Sequence, residues 1–200
     1  QLQQVKSYSE EQQQTLDMLK SRAQSQQQTF RTMGAMNASH YQHFDRYLEL
    51  EAINQFLDKW QKALGVTLNR QYLGYMAHQI TSYESLCQGR FATNIQDLIL
   101  RILVALSVKT EPLRVVEIGT LFGVGIGALY KIASRQFQQI DVTIIDPLDG
   151  YYSAAKPDIS TGLPINRDIL DHNLRVLGIP KDRVDILQGF SSQPEIIGKV

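Results

Sequence analysis

The sequence predicts an α/β protein in which a parallel sheet follows an α-helical N-terminal region. Three observations carry that expectation. The runs RVVEIG, DVTIID and RVDILQG have the length and β-branched content of strands. Stretches with helical period separate them, from about Gly125 to Arg135 and from about Ile165 to Leu177. Strands alternating with helices build βαβ units, whose crossovers should be right-handed. Composition also divides the chain, because residues 1–66 are rich in Gln, contain no Pro and have Gly only at 34 and 65.

Taken in order, the first region (1–66) allows a heptad with position a at Leu2 and d at Val5. Of its 14 seam positions up to Tyr47, nine are apolar: Leu2, Val5, Leu16, Leu19, Ala23, Phe30, Met33, Phe44 and Tyr47. Polar residues at the others would set register at a cost in stability, as in a coiled coil with polar layers. A long solvated helix or a Gln-rich tail is the alternative. A stronger stripe follows at Ile53, Phe56, Leu57, Trp60 and Leu64, with Gly65 as its C-cap. Residues 67–110 read as two helices leading into the domain. In the second, Ile95, Leu98, Ile99, Ile102 and Leu106 share a face, and Thr93-x-x-Gln96 offers a capping box. Glu111-Pro112 ends that pattern, and residues 111–200 carry the strands.

Whole-chain properties narrow the function classes. Lys+Arg and Asp+Glu balance at 20 each, so no field invites nucleic acid or an anionic membrane. No apolar run approaches the ~20 residues needed to span a bilayer. The single Cys87 fits a reducing, cytoplasmic setting and reads as a small buried hydrophobe. His40, His43, His78 and His172 lack metal-ligand spacing beyond the coincidental pair 40/43, so no metal ligand is assigned among them. The chain opens on Gln1, as an excerpt or a processed product would.

Chemistry concentrates where the first strand hands over to its helix, VVEIGTLFGVGIGALY. Gly119 and Gly123 stand at the carboxyl end of a parallel strand, where such sheets bind ligands. Asp146 ends the next strand, where a carboxylate can accept from ribose hydroxyls. The glycine spacing does not fit the dinucleotide fingerprint G-x-G-x-x-G, and no Gly-Lys-Ser/Thr follows for a P-loop. Glu117 would repel a pyrophosphate but suit a cofactor carrying sulfonium and ammonium groups. Each residue also has a plainer reading. Glu117 can be a helix N-terminal charge, Asp146 a turn former before Pro147, and Ser191 and Ser192 helix caps.

The motif E-I-G-T-x-x-G-x-G, the strand end IIDP and DRVDILQGFSS resemble the class I S-adenosylmethionine-dependent methyltransferases. Within them the chain is most similar to small-molecule O-methyltransferases of the catechol and caffeoyl-CoA type and their bacterial relatives. GRFATNIQDLIL is similar to the helix those enzymes place before the first strand. The resemblance covers roughly residues 89–200. It implies the first half of a Rossmann-like sheet and S-adenosylmethionine as cofactor. By position it implies Glu117 at the methionine ammonium, Gly119 beneath the cofactor, Thr120 at its methionine end and Gly123 in the same turn. Asp146 would grip the ribose, with Phe190 and Ser191 flanking the adenine. A methyl group would pass to an oxygen of a small molecule or glycan. Asp149, Tyr151 and Tyr152 are candidates for the acceptor pocket, and Arg90 for an anionic acceptor or a structural ion pair.

After QGFSSQPEIIGKV no fourth strand with the family's acidic motif follows, so no catalytic residue is assigned. The first strand is expected to become an exposed apolar edge, and the chain taken alone either to bind cofactor weakly without turnover or to aggregate. Homo-oligomerisation through residues 1–66 is a further expectation. Two rivals stand beside this reading: a nicotinamide-dependent oxidoreductase, and a non-catalytic assembly module with a degenerate nucleotide fold.

Overall fold

The computed structural model describes residues 50–150 and 156–199, which belong to a compact unit running from Phe44 to Val200. The heptad seam from Leu2 to Tyr47, and the loop residues Tyr151 and Tyr152, lie outside the described residues. Helix α1 (Leu50–Gln55) continues through a π-helical stretch, Phe56–Trp60, into Gln61–Leu64. It buries Ala52 and Phe56, and Gly65 closes it as expected. Helix α2 (Arg70–Leu86) is capped by Asn69, whose side chain accepts from the Gln71 N–H at 2.7 Å. It buries Leu73, Met76, Ala77 and Ile80, one stripe at helical spacing.

Helix α3 (Ile95–Ser107) buries the expected face through Ile95, Leu98, Ile99 and Ile102. Its cap lies one residue later than the capping box placed it. Asn94 Oδ1 accepts from the Asp97 N–H at 2.8 Å, and Thr93 donates instead to the Asp97 carboxylate at 3.0 Å. Asn is as good an N-cap as Thr or better, and Asp97 at the third helical position suits the helix dipole.

The chain then alternates as the sequence indicates: β1 (Leu113–Ile118), α4 (Val124–Ala133), β2 (Ile140–Asp146), α5 (Arg167–Val176), β3 (Val184–Gln188) and a short α6 (Pro194–Ile197). The three strands form a parallel sheet in the order β1-β2-β3, so β2 is central. Leu113 pairs with Ile140 and Ile118 with Ile145; Val142 pairs with Val184 and Asp146 with Gln188. Apolar residues of α2, α3, α4 and α5 share one core with Leu113, Ile140, Val142 and Ile144. All four helices thus cover the same face of the sheet. On the other face Val116 and Ile118 are 49% and 63% exposed. The first strand is therefore an exposed apolar edge among the described residues, as the sequence implies.

No described helix is long and apolar enough to cross a membrane.

Candidate functional site

The site is built where β1 and β2 end. β1 delivers Glu117 to the covered face, and the chain then turns sharply through Gly119, Thr120 and Leu121. Gly119 has φ +78° and Leu121 φ +59°, left-handed conformations that cost a leucine about 1 kcal/mol. The strain is held by Asp146 at the end of β2. One of its carboxylate oxygens accepts from the N–H groups of Thr120 (2.7 Å) and Leu121 (3.3 Å); the other accepts from Leu148 N–H (2.8 Å). Asp146 is only 7% exposed, so these are buried, charge-assisted bonds.

Glu117 completes the cluster. It accepts from the Thr120 hydroxyl at 2.6 Å, and Arg101 of α3 stands 3.9 Å away. Its side chain is 14% exposed. Burial pushes its carboxyl up to about 6, against the opposing pull of Thr120 and Arg101. The group titrates within the range where a nearby cation would decide its charge.

The two glycines of the turn serve different ends. No atom lies within 4 Å of where a Cβ on Gly119 would sit, so its open side faces free space. Gly123 starts α4 with φ +75°, and a Cβ there would collide with Leu170 of α5. Gly123 therefore has a packing duty whatever binds in front of the turn. The end of β3 is drawn in by the Gly189 N–H, which donates to the Asp146 carbonyl at 3.1 Å. Phe190 follows, 47% exposed, its N–H taken by the Gln193 side chain at 2.8 Å. Gln193, not Ser191 or Ser192, is the N-cap of α6. The backbone thus brings Glu117, Gly119, Thr120, Asp146, Phe190 and Ser191 to the carboxyl ends of three adjacent parallel strands.

The plainer reading of Asp146 as a turn former also holds, because the Leu148 bond is an Asx-type turn. A carboxylate has about four acceptor positions. Three are occupied, which leaves one for a ribose hydroxyl rather than a grip on two. The first cost of Asp146→Ala would then fall on the turn itself.

Three buried polar groups behind the site escaped the sequence reading. Asn173 of α5 is fully buried: its amide donates to the carbonyls of Gln88 (2.7 Å) and Phe122 (2.8 Å), and its oxygen accepts from Gln88 N–H (2.8 Å). It ties the glycine turn to the α2–α3 connection. Glu84 accepts from Phe91 N–H at 3.0 Å in the same connection. Asp158 is fully buried too and takes both oxygens to Arg90, at 2.8 and 3.2 Å. Arg90 is accordingly a structural ion pair that anchors the loop before α5. The signal for Asn173 was present, a polar residue on the same helical face as Ile169, Leu170 and Leu174. No local pattern marks Asp158 as Arg90's partner, 68 residues away.

Cys87 is half-buried rather than enclosed, and burial together with Glu84 pushes its thiol up to about 11. Asp149 is exposed. Among the described residues no group of three or more His, Cys, Asp or Glu is placed to hold a metal ion. Compared with family models, with curated proteins and with solved structures, the chain finds no match in any of the three.

Proposed function

We propose that the β1–β2 end binds S-adenosylmethionine and that the protein belongs to a class I, Rossmann-like methyltransferase, acting on an oxygen of a small molecule or glycan. The observation that carries this reading is the Glu117 carboxylate. It lies largely buried beside the turn and is held by Thr120 next to the open side of Gly119. A buried acid with a raised pKa gains most from a cation and disfavours a pyrophosphate. Glu117 and Thr120 would hold the ammonium end of the cofactor, and Gly119 would let it approach the backbone. Asp146 would keep the turn in shape and offer its remaining acceptor position to a ribose hydroxyl, with Phe190 and Ser191 beside the adenine. When bound, the cofactor supplies an electrophilic methyl group. The chain's residues contribute by positioning it and by balancing its charge.

Calorimetric titration with S-adenosylmethionine, S-adenosylhomocysteine and NADH tests the reading. The first two are expected to bind, with affinity falling below about pH 6 as Glu117 takes up a proton. Glu117→Gln should weaken binding and flatten that pH dependence. NADH binding tighter than S-adenosylhomocysteine would overturn the assignment in favour of a nicotinamide enzyme. The heavy backbone use of Asp146 favours the second rival, a nucleotide fold without nucleotide, and binding of none of the three would support it.

A further inference from the structure

A concave surface lies at the opposite edge of the sheet from β1, and it owes nothing to the glycine turn. It is a groove of about 500 Å³ between α5 and the outer edge of β3. Leu174, Ile179, Val184 and Ile186 form its apolar floor, while Arg175 and Lys181 stand on its rim. Arg167 also borders it but is neutralised by Asp171 at 3.0 Å. Among the described residues the Arg175 guanidinium meets the His172 ring, at 3.4 Å, and neither Arg175 nor Lys181 makes an ion pair. The groove thus carries, among the described residues, two cations without an ion pair above an apolar strip.

The edge of β3 is also open. The Gly189 N–H bonds to the Asp146 carbonyl, which fixes the alternation along the strand. Asp185, Leu187 and Gly189 direct their backbone groups at β2, and Val184, Ile186 and Gln188 direct theirs outward. The Val184 N–H is taken by the Lys181 carbonyl. The Val184 carbonyl, both groups of Ile186 and the Gln188 N–H find no backbone partner among the described residues. Val184 and Ile186 are also the strand residues whose side chains line the groove. Backbone hydrogen-bonding groups, an apolar floor and a basic rim coincide on one strip.

We propose that this strip is a docking site for an extended, acidic segment of a partner protein, which adds as a fourth strand beside β3. Main-chain bonds to Ile186 would hold the segment. Its inward side chains would be apolar and fill the floor, and its acidic residues would meet Arg175 and Lys181. A second copy of this chain fits poorly, because a two-fold pairing of β3 edges brings Arg175 and Lys181 of each copy towards the other's cations.

The test uses the full chain and a capped seven-residue peptide, Glu-Thr-Val-Thr-Val-Thr-Glu, whose valines and glutamates share one strand face and so turn together towards α5, with binding followed by fluorescence anisotropy of a labelled form. Three comparisons decide it: the same peptide with Lys for Glu, the same peptide N-methylated at alternate residues, and the protein variant carrying R175E and K181E. Each is expected to weaken binding at least tenfold, and raised salt to weaken it further. Arg175 and Lys181 are both exposed, so the double variant should fold. Equal binding of the N-methylated peptide would overturn strand addition. Equal binding of the Lys peptide would overturn the charge assignment. No binding of the Glu peptide at millimolar concentration would overturn the proposal, as would a dimer in sedimentation that the double variant abolishes, which would make a second copy the occupant.

Discussion

The two faces of the sheet differ more than any other pair of regions in the described structure. On the covered face Leu113, Ile140, Val142 and Ile144 are at most 3% exposed, pressed beneath four helices. On the open face Arg114 and Asp185 meet solvent, and Val116 and Ile118 are 49% and 63% exposed. Only Ile145 of the central strand is buried there, at 4%, and it lies outside the main core. Parallel sheets are ordinarily covered on both faces. The comparison teaches that burial here follows the placement of the helices and not the composition of the strands, since both faces carry apolar residues and, among the described residues, only one is packed against helices. Val116 and Ile118 stand exposed on the edge where Arg114, Val116 and Ile118 aim their backbone groups outward.

The largest effect expected is on the covered face. Ile144→Asp would bury an unpaired carboxylate at the centre of the sheet and cost more than about 4 kcal/mol, enough to unfold the unit. Urea denaturation followed by circular dichroism would measure it. Retention of a cooperative transition near that of the natural chain would mean the core is not where the burial places it.

Asn173→Ala removes a polar group from beneath the same face. It leaves the Gln88 N–H and the carbonyls of Gln88 and Phe122 without a partner, so a loss of about 3 kcal/mol is expected. Hydrogen exchange should show the loss at the glycine turn and at the α2–α3 connection together. Faster exchange at one alone would break the link between them.

Glu117 is a polar intrusion into the covered face, and its contribution depends on pH. Its folded pKa of about 6 lies above the ordinary 4.5. Below 4.5 both folded and unfolded chains hold the proton and no cost arises. Between 4.5 and about 6 the unfolded chain ionises first, so stability falls as pH rises and levels off above that window. The full cost is about 2 kcal/mol. Glu117→Gln keeps an acceptor for the Thr120 hydroxyl, and its urea midpoint should stay flat from pH 4.5 to 7 while the natural chain declines. Parallel pH profiles for the two would remove the raised pKa.

The smallest effect is expected on the open face. Ile118→Lys should change stability by less than about 0.5 kcal/mol, because the side chain is already 63% in solvent. The same charge on an open strand edge should reduce self-association, which sedimentation velocity can follow. A stability loss like that at Ile144 would mean the open face is covered.

The sequence by itself determined the elements. Period-2 and period-3.6 patterning are local properties, so three strands, the helices between them and the glycine turn with Glu117, Thr120 and Asp146 were legible within a few residues. Even the displaced cap of α3 was an error of one position between Thr93 and Asn94, two residues with similar capping chemistry. Tertiary structure decided what those residues touch. The amides of Thr120 and Leu121 on Asp146, the tie from Asn173 to Gln88 and Phe122, and the pairing of Arg90 with Asp158 join positions from 25 to 85 residues apart, and the burial that raises Glu117 comes from equally distant packing. Such partners are chosen by packing in three dimensions, and no local period encodes them. The same holds for the faces of the sheet. Alternation along β1 says that Val115 and Val116 point opposite ways, but only the placement of the helices makes one interior and leaves the other exposed.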